Sequence, residues 1–267
     1  MISAAEQLHF ERVCRDILLA DRDRDGIGTL NEKKLHTMLK FFVCDDKSCH
    51  EVKLPPPQSQ QLQQQSKQDS KPRSFVADVL CGNDIFEIQT GALYPLRDKI
   101  GFYLEHTGYN VTVIHPLVAK KRVTYLSPVD CHVVRRVNSP KHEQPRDMIV
   151  QLYSLLPYLG DCRLRFRALM LEVEEFRIQN KRGRNGAVRY EKIPTGLIDI
   201  IDLNTPADYL TYLPSGLTNE FTAAEFGRAI GLHGIDVYSA LKVFVATGLV
   251  RPEGRRGRAA TYTCTPG

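Results

Sequence analysis

Apolar residues first recur at helical spacing. Leu8, Val13, Ile17 and Leu18 fall near one face of residues 5–19, which predicts an amphipathic helix. After the polar run "DRDRDGIGTLN", residues 31–43 repeat the pattern with Leu35, Met38, Leu39 and Phe42, and Asn31 stands where a helix cap is expected. The period then changes. Phe75-Val76-Ala77 is an apolar run closed by Asp78. Gly82-Asn83-Asp84 is a turn signal, and Ile85-Phe86-Glu87-Ile88-Gln89 starts again with two apolar residues in a row. Residues 75–90 therefore read as a β-hairpin buried on both faces. A helix over about 94–106 carries Leu96, Ile100, Tyr103 and Leu104. Residues 110–117 and 120–127 read as two further strands. Residues 147–159 and 161–171 are apolar without a deciding period and stay open between helix and strand.

From residue 221 the pattern shortens. Residues 222–230 predict a helix ended by Gly231, and residues 235–247 a second one ended by Gly248. Leu249–Arg251, a turn at Pro252–Gly257 and Ala259–Cys264 complete a β-ribbon. Helix, turn, helix and a two-stranded ribbon predict a winged helix-turn-helix domain over 221–267. The order helix, strand, strand, helix, strand, strand before it predicts an α/β (α+β) domain with a mixed sheet flanked by helices.

Composition adds two boundaries. Residues 54–74, "LPPPQSQQLQQQSKQDSKPRS", are rich in Pro, Gln and Ser and lack the apolar content for a core, so they read as a disordered insertion. Residues 177–192 hold six Lys or Arg against one Glu and read as a basic loop or hairpin. The expected organisation is an N-terminal helix with an acidic loop (1–30), an α/β domain (31–175), a basic connecting segment (176–220) and the winged helix. The net charge of +5 and pI near 8.8 permit nucleic acid as a partner without requiring it. No apolar run approaches the roughly 20 residues of a membrane span, and the amphipathic N-terminus does not resemble a secretory leader. A cytoplasmic protein is expected. Seven Cys at irregular spacings do not suggest a disulfide framework. Cys44, Cys49-His50 and Cys131-His132 do not form paired zinc knuckles, so they read as scattered thiols.

The chemistry concentrates in the hairpin. A turn brings Asp78, at the end of one strand, beside Glu87 on the next, and Glu87 and Gln89, two apart, share a face. Two carboxylates on one sheet face make a hard-oxygen site for Mg²⁺, which can activate a water and neutralise a phosphate. Asp78…Glu87-x-Gln89 resembles the PD-(D/E)XK, or restriction-endonuclease-like, nuclease motif, with Gln where that pattern commonly has Lys. Gln orients a water or contacts phosphate but carries no charge. Lys99, on the following helix, is placed to supply the cation if it folds back. "GTLNEKKLHTMLK" and "ADV…IFEIQT" together resemble a widespread, uncharacterised prokaryotic family with a Glu-Lys-x-Leu-His helix, an Asp…Glu-Ile-Gln-Thr hairpin and a C-terminal winged helix. That resemblance spans roughly residues 26–262. It implies a restriction-endonuclease-like fold, with Glu32 as an outer acid, Asp78 and Glu87 holding Mg²⁺, and Gln89 positioning water or phosphate.

Two alternatives stay open. One is a DNA-binding or regulatory protein that kept the fold without the chemistry. The other starts from Asp21-x-Asp23-x-Asp25-Gly26, followed after five intervening residues by Glu32, the pattern of an EF-hand Ca²⁺ loop. Against it stand Gly28 at the bridging position, Lys33 after the loop and the lack of a second loop. The expected partner is DNA, held by Arg255, Arg256 and Arg258 of the ribbon and by Lys242 of the second C-terminal helix. A second copy of the chain is an open partner, and a membrane is not expected.

The insertion gives a direct expectation. Lengthening a surface loop costs only about 0.6 kcal/mol per doubling, so deleting residues 55–73 should leave the melting temperature within a few degrees of the full chain. A large drop in a calorimetric scan would show that the segment packs.

Overall fold

The computed structural model describes residues 2–22, 34–54, 74–180, 186–214, 216–217 and 220–265. The insertion 55–73 and most of the acidic loop, with Asp23, Asp25, Asn31 and Glu32, lie outside the described residues. Two helices come first, α1 (Ala4–Arg22) and α2 (Lys34–Val43). They are followed by β1 (His50–Leu54), β2 (Phe75–Cys81), β3 (Asp84–Ile88), α3 (Arg97–His106), β4 (Asn110–Leu126) and β5 (Val133–Asn138). Next come α4 (Pro145–Leu152), β6 (Leu164–Gln179), β7 (Ala187–Leu203) and a short α5 (Pro206–Leu210).

These strands form one mixed sheet in the order β1-β2-β3-β4-β6-β7, with β5 also on β4. β3 and β6 run parallel to β4, and the other pairs are antiparallel. Both faces are covered. α3 and α4 pack on one through Ile100, Tyr103, Met148, Ile149 and Leu152, against Ile85, Val111, Val113 and Phe166. α1 and α2 pack on the other through Phe10, Leu35, Met38 and Leu39, against Val79, Ile88, Ile114 and Leu169. The double apolar start of β3 follows from this. Ile85 points into the first layer, and Phe86 and Ile88 into the second.

Two expectations change. The apolar stretches 110–117 and 120–127 are one 17-residue strand, β4. Pro116 does not interrupt it, because the edge it faces has already lost its neighbour. Ile114 O accepts from Gln89 N, so Pro116, two residues on, turns its hydrogen-free nitrogen to the same edge, beyond the end of β3. The segment 176–220, expected as a connector, supplies the end of β6 and all of β7, so the described parts of the basic stretch, 177–179 and 187–192, pair as strands of the main sheet. The ambiguous stretches resolve as α4, a 3₁₀ turn at Tyr153–Tyr158 and β6.

The C-terminal unit is β8 (Phe221–Thr222), α6 (Ala223–Ile230), α7 (Ile235–Ala246), β9 (Val250–Arg256) and β10 (Ala259–Cys264). Thr222 and Glu225 cap α6 reciprocally, and Gly231 ends it in the left-handed conformation at φ 70°. Its strands order β8-β10-β9, and α6 and α7 meet at a bend of 97°. Gly227 allows that close approach, since a Cβ there would lie 2.8 Å from Val237 Cγ2. The unit shares its core with the main sheet. Phe226, Val237, Leu241 and Phe244 belong to the same buried cluster as α3 and α4. Among the described residues, no single helix is long and apolar enough to cross a membrane.

Candidate functional site

The ladder between β2 and β3 covers three pairs, Cys81↔Asp84, Leu80↔Ile85 and Val79↔Phe86. One more step would set Asp78 opposite Glu87, but the strands have parted there. Asp78 Oδ2 accepts from Ile88 N at 2.8 Å, taking the amide that the ladder leaves over. His36 of α2 reaches the same opening. Its Nε2 lies 3.0 Å from Ile88 O and 3.3 Å from Asp78 Oδ2. Since Ile88 O can only accept, Nε2 carries the proton.

Glu87 is fully buried. Its two oxygens meet two donors from α3, Lys99 Nζ at 2.6 Å from Oε2 and the Tyr103 hydroxyl at 2.9 Å from Oε1. Lys99 and Tyr103 are four apart and so share one helix face. Burial pushes the Glu87 carboxyl up to about 7 against the pull of Lys99, and the negative Asp78 adds to the rise. Asp78 moves the opposite way. Burial opposes its ionisation, but the His36 hydrogen bond, the Lys99 charge and the Ile88 amide together hold it below the usual carboxylate range. Two neighbouring carboxyls with separated titrations, one near neutrality, suit proton transfer beside a charged ligand.

Lys99 thus folds back onto Glu87, as its place on the helix suggested. Gln89 does not share that cluster. It lies past the end of β3, and its side-chain amide donates to Ala92 O at 2.7 Å, closing a turn. A strand reading put it on the Glu87 face, but the strand ends at Ile88. Glu32, with Asp23 and Asp25 of the calcium pattern, lies outside the described residues, and Asp21 belongs to the last turn of α1. His36, Tyr103 and His115 were not singled out from the sequence. His36 stood in the quoted Glu-Lys-x-Leu-His run, and Tyr103 was visible at i+4 from Lys99.

Beside this cluster the edge of β4 is shared. β3 covers Asn110–Ile114 and β5 covers Arg122–Leu126. The gap between them opens onto a polar cavity of about 280 Å³. Lys121, Lys141, Arg189 and Lys192 line it against two carboxylates, Glu143 and Glu175. Lys121 and Arg189 each lie 3.5 Å from Glu175, and Lys141 lies 2.9 Å from Glu143. Burial depresses the Lys192 ammonium. His115 reaches the cavity from the face that carries Val113, the register partner of Glu87. Its Nδ1 donates to Gln89 O at 2.7 Å, and burial lowers its pKa.

In the C-terminal unit the expected DNA contacts divide. Arg256 is bound by Glu225 Oε1 at 2.8 Å and by Glu220 O at 2.9 Å. This pairing ties the ribbon to α6 while leaving the Arg256 side chain half-exposed. Arg255 and Arg258 are exposed. Lys242 lies on the exposed stripe of α7 with Ile235 and Tyr238, and its ammonium sits 5.4 Å from the Tyr153 ring centroid.

A family model described as a domain of unknown function (DUF8091) matches residues 59–204, just over half of the chain. That span contains β2 to β7 and so the whole carboxylate cluster except His36. No curated protein and no solved structure matches the chain.

The raised Glu87 has a pH consequence. Its folded value lies above its unfolded one, so its contribution to stability is full below pH about 4.5 and is lost as pH rises through about 7. Glu87→Gln removes that titration. The variant should gain stability relative to the parent between pH 5 and 8, on the order of 2 kcal/mol. Denaturant melts of both proteins across that range check it, and a constant difference would place the Glu87 titration elsewhere.

Proposed function

The chain belongs to this DUF8091 family of domains, and from the site we propose that it is a DNA-binding protein whose hairpin centre hydrolyses phosphodiesters with Mg²⁺. One observation carries the reading: Lys99 pairs with Glu87 where β2 and β3 part, close enough to Asp78 for its charge to act on both. The arrangement resembles the restriction-endonuclease-like centre, with the lysine delivered from α3 in place of the Gln89 position. The donors are of the kind Mg²⁺ takes, two carboxylates of hard oxygens: Asp78 is partly exposed, and Glu87 would exchange its Lys99 and Tyr103 partners for the ion. Asp78 and Glu87 would hold the ion. When bound, it supplies a more acidic water and charge for the phosphate. Lys99 would stabilise charge developing on the phosphate oxygens. The basic cavity beside His115 would grip a neighbouring phosphate.

The C-terminal unit resembles a winged helix, with β9–β10 as its wing. Packing supports a phosphate-directed role over base reading, because α7 gives most of its surface to the core. The wing's Arg255 and Arg258 are the side chains that fit backbone contact.

The full chain should cleave duplex or single-stranded DNA in Mg²⁺ or Mn²⁺. Asp78→Asn and Lys99→Ala should each reduce the rate by about 10²-fold or more, with binding retained. Cleavage surviving both substitutions would sink the assignment.

One observation favours a second reading. Glu87 has no exposed surface and its oxygens already have partners, an arrangement that also suits a structural ion pair in a non-catalytic DNA-binding protein. Salt-dependent DNA binding without cleavage in any divalent metal would select it.

The wing is tested separately. Arg255→Ala with Arg258→Ala should lower the slope of log affinity against log salt by up to about 1.8. Arg256→Ala should act mainly on stability. An unchanged slope in the double variant would show that the wing does not touch nucleic acid.

A further inference from the structure

Three cysteines distant in sequence meet at one end of the second helical layer. Cys44 follows α2, Cys49 ends the 3₁₀ turn Lys47–Cys49, and Cys81 ends β2. Their sulfurs all lie within 4.8 Å of one another. All three are free thiols, half-buried at the margin of the cluster built by Leu35, Met38 and Val79.

The loop that presents two of them is fixed by its own hydrogen bonds. Cys44 N donates to Lys40 O at 3.0 Å, and Cys49 N to Asp46 O at 3.1 Å. Asp46 Oδ1 accepts from Ser48 N at 2.8 Å. His50 Nε2 donates to Cys44 O at 2.8 Å, closing the loop from its far end. The third cysteine comes from a strand more than thirty residues away, so loop geometry alone does not explain the meeting.

Packing does not explain it either. A buried thiol behaves as a small hydrophobe and has no need of other sulfurs. A disulfide needs two cysteines and leaves the third idle. A tetrahedral cation with metal–sulfur bonds of about 2.3 Å sets its sulfur ligands about 3.8 Å apart, within the span seen here.

We propose that Cys44, Cys49 and Cys81 together bind one thiophilic d¹⁰ cation, Zn²⁺ or Cu⁺, as thiolates. Soft sulfur donors select these ions over Mg²⁺ and Ca²⁺. Each thiol gives its proton to solvent as it ligates. Zn²⁺ would take a water in its fourth position, and Cu⁺ is satisfied by the three sulfurs. The ion would clip the end of α2 to the end of β2. α2 carries His36, and β2 carries Asp78 three residues before Cys81, so the clip would hold the His36–Asp78 contact in place. The proposal is independent of the hydrolytic reading, since the site stands whether or not DNA is cut.

The test is metal-dependent protection of thiols in the full, unmodified chain. The reduced protein is exposed to an alkylating reagent with no metal, with Zn²⁺ and with Cu⁺, and each cysteine is mapped by mass spectrometry. Either ion should slow modification of Cys44, Cys49 and Cys81 by an order of magnitude or more, with Cys131 and Cys162, both exposed, unchanged. Competition between the two ions then assigns the native one. Co²⁺ substitution should give a thiolate charge-transfer band that Cys81→Ser abolishes and Cys162→Ser leaves intact. The protection needs no variant to fold. If neither ion protects the three thiols, or all five are protected alike, the proposal is overturned.

Discussion

A carboxylate without exposed surface sets the terms for everything around it. Leaving Glu87 charged and unpaired inside the first layer would cost several kcal/mol. The fold answers with Lys99 and Tyr103, which fixes the rotation of α3 about its axis and its height over β3. The carboxyl still titrates near neutrality, because burial outweighs the lysine. Asp78, a short distance away, is held ionised by an amide and a histidine from the opposite layer. Two acidic groups of the same hairpin thus have opposite protonation habits, and both depend on the parting of β2 from β3.

The long β4 carries the second constraint. It is the only strand among those described that pairs with three others. Its edge is divided between β3 and β5, and the return segment near Glu143 crosses the gap, with Glu143 N donating to Val118 O at 2.9 Å. Pro116 is tolerated there for the reason that makes the cavity: no strand occupies that stretch of edge. The lysines and arginine around the cavity therefore surround a place where the ladder is interrupted, close to the face that carries Glu87.

The C-terminal unit is fused to this sheet by a common core, and not hung from it by a linker. Under the proposed reading, DNA held at the wing would be presented in a fixed relation to the hairpin. The same fusion limits α7. A helix that buries Val237, Ala240, Leu241, Val243 and Phe244 offers Ile235, Asp236, Tyr238, Lys242 and Ala246 outward.

Much of the framework was legible in the sequence, because it rests on short-range physics. Helical spacing placed α1, α2, α3, α6 and α7. Turn glycines marked the hairpin and the helix ends, and the double apolar start of β3 announced burial on both faces. Asp78, Glu87 and Lys99 could be named because a hairpin and a following helix are local. What the sequence could not decide depended on partners far along the chain. Gln89 leaves the strand because β3 ends one residue earlier, and Arg256 is taken by a glutamate thirty-one residues away. The later part of the basic stretch, from Ala187 to Lys192, becomes sheet because β6 is there to pair with it. Cysteine spacing gave no hint that Cys81 joins Cys44 and Cys49, since only the packing of α2 against β2 brings the three sulfurs together.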